Sequence, residues 1–305
     1  RRKAPPRLCR GGGRWRLANR LIHLLLVFLI PAVVQAETLR LATFNTELFR
    51  KGPGLLLRDI QRGTDPQVIA VLGKLKEANA DVIALQGIDY DFDLLALAAF
   101  ADALRRSGGP DYPFRFAAPP NAGRMTDVDL DGDGRTGRAR DAQGYGRFYG
   151  QGSMALLSRF PINKDTVQDY SEFLWRDLPD ALLSATDTGQ RPDAAVLAVQ
   201  RLHAHGAWVV PIEHPILGQV HVMTFHAAPP VFDGPEDRNG RRNHDEVRFW
   251  SLYLDGVFGP PPTGRFAIVG DANADRFRGE GRADALTTLL TDRRLQDPLP
   301  RSLTV

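Results

Sequence analysis

Phe266-Ala267-Ile268-Val269-Gly270-Asp271-Ala272-Asn273-Ala274-Asp275 is an apolar run that ends in Gly-Asp-x-Asn, with Pro260-Pro261-Pro262 and Gly264 just before it. A short apolar run bounded by turn residues reads as a strand buried on both faces. Polar residues at the end of such a strand are held by the sheet while the following loop admits a substrate. Asp271 and Asn273 are two apart, so an extended chain points both to one side. One is an anion that can orient a water or a metal; the other is a neutral amide that can hold an oxyanion. The same residues also make an Asx turn that merely ends a strand. The other strand ends have to decide between these readings.

Working outward, residues 39–44 alternate into Asn45 as a first core strand, while 55–62 are ambiguous. Thr64 or Asp65 caps a helix with Pro66 in its first turn, and Val68, Val71, Leu72 and Leu75 repeat at helical spacing up to Asn79. Residues 81–86 follow as a buried strand. Asp93 is the expected cap of a second helix through Arg106. Residues 107–150 hold no sustained period and read as a long loop or insertion. Residues 153–158 resume the sheet. Strands are then expected at 195–202, 207–212 and 218–225, paired antiparallel through short turns. Residues 229–243 read as a polar loop, 245–258 as an amphipathic helix, and 282–292 as a last helix. Trp175, Trp208 and Trp250 read as core or rim. With no internal repeat or low-complexity linker, the pattern predicts one α+β domain over 37–305, its sheets covered by helices.

The 305 residues are 43% hydrophobic and 25% charged, as in ordinary globular chains. The sequence pI of about 9.2 invites a nucleic-acid partner, but the charge is uneven. Residues 1–36 carry eight basic residues and no acid; the remainder holds 31 basic against 36 acidic, a net charge of −5. The basic start precedes an apolar run from Leu21 to Val34 and then Gln35-Ala36. This is the pattern of a secretory signal peptide cleaved after Ala36, and the run is shorter than the roughly 20 residues needed to span a bilayer. A secreted or periplasmic, acidic mature protein is expected. Its only cysteine, Cys9, precedes the cleavage point, so no disulfide is available to it.

Four strand ends collect polar residues: Asn45, the Gln86-Gly87 corner, His226 after Val222-Met223-Thr224-Phe225, and Asp271 with Asn273. Strand-Phe-Asn early, Ser-Met-Ala-Leu-Leu-Ser-Arg-Phe-Pro-Ile midway, Thr-Phe-His later and Val-Gly-Asp-Ala-Asn last resemble the endonuclease/exonuclease/phosphatase superfamily, from about Leu39 to Asp275. That resemblance implies a four-layer α/β sandwich with two central, mostly antiparallel sheets, and hydrolysis of a phosphodiester or phosphomonoester assisted by Mg²⁺ or Mn²⁺. It places Asn45 and Asp271 at the metal, His226 on the phosphate, Asp271 on the attacking water and Asn273 on a phosphoryl oxygen. The chemistry is coherent, because in-line displacement needs an aligned water and positive or hydrogen-bonding groups on developing charge.

The chain departs from the family pattern twice. Its metal-binding Glu normally follows the second strand, where this chain has Leu85-Gln86-Gly87. Glu47 shares strand parity with Asn45, and Asp89 and Asp91 share it with Gly87, so a displaced carboxylate, Glu47 or Asp89 first, is the expected substitute. The family closes with Asp-His, which does not follow Asn273 here; with Arg1 at the start, the sequence reads as a fragment. Two further features stand apart. Asp129, Asp131 and Asp133, followed by Gly134, match the first half of a calcium loop, although the twelfth position is Arg140 instead of Glu; a solvated acidic turn is the other reading. Arg241, Arg242 and Asn243 fall in the polar loop after His226, where guanidinium forks can meet a phosphate or simply precede a helix. The expected partner is a phosphate-ester substrate (nucleic acid, phospholipid or sugar phosphate), acted on by a monomer. Alternatives are a secreted nuclease, which an acidic mature chain does not favour electrostatically, and a degenerate member that binds a phosphorylated ligand without hydrolysing it.

Overall fold

The alternation read at 39–45 becomes strand β1, Leu41–Leu48, and the apolar run after Asp81 becomes β2, Val82–Ile88. They pair in parallel, with β4 (Ser153–Ser158) and β3 (Phe114–Phe116) completing a sheet in the order β1-β2-β4-β3. The second sheet runs β5-β6-β7-β8, with β5 Gln168–Asp169, β6 Ala207–His214, β7 Gly218–His226 and β8 Arg265–Asp271. β7 and β8 are parallel and the other pairs of this sheet antiparallel. This computed structural model describes residues 1, 4, 38–183 and 193–299. Apart from residues 1 and 4, the expected signal peptide lies outside the described residues, as do its cleavage point and residues 300–305.

Period-two alternation sorts side chains between layers. Ile83, Leu85, Ala155 and Leu157 face one way, onto helices α1 (Leu55–Arg62), α2 (Pro66–Ala78) and α3 (Leu95–Arg106). Val82, Met154 and Leu156 face the other way and meet Trp208, Val210, Ile212 and Val222 of the second sheet. Met223, Phe225 and Val209 pack outward on Val247, Trp250, Leu254 and Leu289. The result is helix, sheet, sheet, helix: the four-layer α+β sandwich. Each fully buried tryptophan removes roughly 150–250 Å² from water, about 4–6 kcal/mol gross at 25 cal/mol per Å². Trp175, Trp208 and Trp250 are all buried.

Local signals explain most boundaries. Asp65 accepts the Val68 amide at the start of α2, and Asn79 ends it in the left-handed conformation. Helix α3 is capped by Asp91, which accepts the Leu95 and Ala96 amides, and not by Asp93. Residues 195–202 are a correction: they form no strand but the short helix α4, Ala194–Val199. Asp193 caps it, and of its residues only Val196 is buried, so the run had no second face to give a sheet. Helix α5 spans Arg238–Leu254, beginning seven residues earlier than its apolar period indicated; residues 238–243 are thus helix and not loop. The last helix, α6, is Ala283–Leu290. Among the described residues no helix is long and apolar enough to cross a membrane.

Candidate active site

Because β1/β2 and β7/β8 are both parallel pairs, their C-terminal ends emerge together in each sheet. Asn45 lies opposite Gln86, and His226 opposite Asp271. All four continue the rows that face the other sheet, where apolar contact gives way to polar groups. Asn45 donates its Nδ2 to Asp271 Oδ2 at 2.8 Å, joining the two sheets at this end. His226 Nε2 stands 3.8 Å from the same oxygen, beyond hydrogen-bond length. Burial pushes His226 down to about 4, so the imidazole is neutral near pH 7.

Asp271 and Asn273 do not share a side through strand parity. β8 ends at Asp271, and Asn273 turns left-handed at φ 47°. The Asx turn is real: Asp271 Oδ1 accepts the Asn273 amide at 2.8 Å. It also does more than end the strand, since Asn273 lines a cleft of about 920 Å³ with Asn45, Glu47, Gly87, His205 and His226. Asn273 donates one Nδ2 proton to the Ala227 carbonyl, and among the described residues the other has no acceptor.

Two features escaped the sequence reading. His205 stacks parallel on His226, ring centroids 3.9 Å apart, and its Nδ1 lies 3.1 Å from the His226 carbonyl. A carbonyl only accepts, so Nδ1 carries the proton and Nε2 is left as an acceptor. Burial and the neighbouring His226 hold His205 well below its usual range. The second feature is the polar face of α5. Glu246, wholly buried, accepts the amides of Ala204 and Ala228, fixing the loops that carry His205 and follow His226. Arg242 donates to the carbonyls of Leu202, Gln143 and Arg201, and Asn243 to those of Ala228 and Ala272. Burial raises Glu246 to about 7, opposed by Arg242 and the two amides, and lowers Arg242 to about 10. The i, i+3 and i+4 spacing of Arg242, Asn243 and Glu246 was the available signal, but polar residues at helical spacing ordinarily mark a solvated face.

The residues expected to bind substrate therefore divide. Arg242 lines the depth of the cleft with its Nε and Nη2 engaged by carbonyls, Asn243 is a clamp, and Arg241 donates to the Glu236 carbonyl. Six basic side chains, among them Lys51, Arg147 and Arg238, line the cleft against four acidic ones, a balance that favours an anionic ligand. Of the two substitute carboxylates, Glu47 lines the cleft. Asp89 does not; its oxygens accept the Arg50 and Gly152 amides, and burial raises it to about 6. Asp129, Asp131 and Asp133 bring one carboxylate oxygen each within 4.8 Å of one another, while Asp129 also accepts the amides of Gly132, Asp133 and Gly134.

Two mixed sheets with polar strand ends gathered under one cleft define a DNase I-like α+β sandwich. A model of the endonuclease/exonuclease/phosphatase family matches residues 42–303, and the chain belongs to that family, whose members are generally metal-dependent phosphoesterases or nucleases. No curated protein matches the sequence. Similar solved structures include sphingomyelinase C from Streptomyces griseocarneus, 19% identical, covering 83% of this chain and 69% of that one at a TM-score of 0.44. A beta toxin mutant from Staphylococcus aureus with bound magnesium ions is 13% identical over 86% and 72%, TM-score 0.43. The human nocturnin catalytic domain with a bound sulfate anion is 16% identical over 84% and 69%, TM-score 0.41.

Proposed function

We propose that this protein is a phosphoesterase that uses a divalent metal, Mg²⁺ or Mn²⁺, and an activated water. The observation that carries this reading is the Asn45–Asp271 hydrogen bond joining the sheets beneath a cleft with more basic than acidic side chains. The donor set fits a hard cation: an amide oxygen and a carboxylate, the oxygen chemistry Mg²⁺ takes alongside substrate phosphate. Asn45 and Asp271 would hold the ion, which would supply positive charge to phosphoryl oxygens.

The chain's own groups do the rest. Each Asp271 oxygen has one described hydrogen-bond donor and keeps capacity to accept from the attacking water. His226, neutral, donates one ring N–H to the phosphoryl group. His205, its Nδ1 proton fixed by the His226 carbonyl, presents Nε2 as a hydrogen-bond acceptor. The remaining Nδ2 proton of Asn273 meets a phosphoryl oxygen, and Lys51, Arg147 and Arg238 attract the anion. The helix α5 clamp keeps these loops at fixed spacing, so little reorganisation is left for the reaction.

Nucleic acid, phospholipid and sugar phosphate all satisfy this chemistry. Secretion is supported by the basic and apolar pattern before Glu37 in a single domain of residues 37–305. The three aspartates at 129–133 are read as a structural Ca²⁺ loop, for which addition of Ca²⁺ against EDTA should raise the melting temperature. The test of function is hydrolysis of bis-p-nitrophenyl phosphate with Mg²⁺, Mn²⁺ or EDTA. Turnover that EDTA abolishes supports the enzyme. Binding of a phosphate ester without turnover supports the second reading, a non-catalytic binder, which the absence of a side chain at Gly87 favours.

A further inference from the structure

The cleft floor contains a compensated irregularity. Strands β1 and β2 pair as Asn45 with Gln86 and resume as Leu48 with Ile88, so β1 uses one residue more than β2 to cover the gap. Such a bulge re-aims side chains next to functional sites. Within it Glu47 takes φ 49°, a region that residues other than glycine seldom enter. Its side chain lines the cleft, and among the described residues no hydrogen bond or ion pair engages its carboxylate.

Gly87 is the other half of this arrangement. It has φ 69°, and a Cβ built there would lie 2.5 Å from Asn45 Oδ1 and 2.8 Å from the Glu47 amide nitrogen. No real Cβ tolerates that distance, so glycine is what lets the bulge settle against β2. The Asn45 amide is fixed between two partners: Nδ2 donates to Asp271, and Oδ1 accepts the Glu47 amide at 3.2 Å. Its oxygen therefore faces the Glu47 side of the floor. An exposed carboxylate and an oriented amide oxygen lining one cleft are both hard donors of the kind a divalent cation takes.

We propose that Glu47 is the carboxylate ligand of the divalent metal, carried on the β1 bulge instead of on β2, and that Gly87 is required for it to be there. A side chain at position 87 and Glu47 in its observed place exclude each other. This assignment rests on the metal-dependent reading above and identifies the ligand that reading leaves unfilled.

Mn²⁺ titration followed by the electron paramagnetic resonance of the free ion tests it. The full chain is used in an Asp129→Asn background, which weakens the acidic loop as a competing site. Loss of outer-shell partners already costs about 10–100-fold in metal affinity, so Glu47→Gln should weaken Mn²⁺ binding by at least about tenfold. Its metal-free melting temperature should equal that of the parent, which separates ligand loss from unfolding. Gly87→Ala, which keeps the carboxylate but displaces the bulge, should also bind Mn²⁺ more weakly. If Glu47→Gln binds Mn²⁺ like its parent while Asp271→Asn does not, the metal reading stands and the Glu47 assignment falls. A parent protein that binds no Mn²⁺ overturns both.

Discussion

The two sheets build their halves of the site by different means. On the second sheet, β7 and β8 run in unbroken register to His226 and Asp271, and the side chains arrive where strand alternation sends them. Their loops are then held by buried polar groups of α5. On the first sheet, register breaks at Asn45 and Gln86, and the backbone itself, through Gly87 and Glu47, sets what faces the cleft. A regular half tolerates little change in its charges, because they are buried. An irregular half tolerates little change in its backbone, because it depends on close approach.

Experiments can break this contrast, and the largest effect is expected at the seam. Asp271→Asn should lower turnover of bis-p-nitrophenyl phosphate by about 10²–10⁴-fold, the range for a positioned acid–base or electrostatic group. A loss below tenfold would remove Asp271 from the chemistry. Arg242→Met should cost about 3–5 kcal/mol in urea unfolding, since it leaves the buried carbonyls of Leu202, Gln143 and Arg201 without their donor. Arg147→Ala, exposed at the rim, should stay within about 0.5 kcal/mol of the parent; similar losses in both would erase the distinction between clamp and rim.

The third experiment sharpens the charge side of the contrast. Burial raises Glu246 from 4.5 to about 7, so between those values the folded chain keeps a proton that the unfolded chain has released. Its contribution to stability is full below pH 4.5 and is lost as pH rises through 7, by at most about 3 kcal/mol. Unfolding free energy should therefore fall more steeply from pH 4.5 to 8 in the parent than in Glu246→Gln; parallel curves would refute the buried-acid account. A smaller loss than that of Arg242→Met is expected from Gly87→Ala, about 1–2 kcal/mol for a side chain at positive φ. Unchanged thermal stability there would mean that the bulge relaxes freely.

Much of the fold could be read from apolar period alone. Helix α2 and strand β2 bury Val68, Val71, Leu72 and Leu75, and Ile83 and Leu85, as their spacing predicted. The segment 195–202 was misread because a short apolar run looks alike in helix and strand. The start of α5 was misread for the opposite reason: Arg242, Asn243 and Glu246 are polar and yet buried, and only partners from distant loops make that burial tolerable. Asn45, His226 and Asp271 were legible as strand-end polar residues. His205 was not, since its significance lies in a stack on a residue 21 positions away.

The sequence by itself determined the layers, the family and the strand-end residues, because alternation and turn chemistry are local and period-bound. Only the tertiary structure decided which polar groups are buried, that α5 clamps four loops, and which carboxylate reaches the cleft. Those outcomes depend on contacts between segments far apart in the chain, which no spacing encodes. Gly-Asp-Ala-Asn at 270–273 shows both sides: the sequence named its residues, and the partner sheet gave Asp271 its hydrogen bond to Asn45.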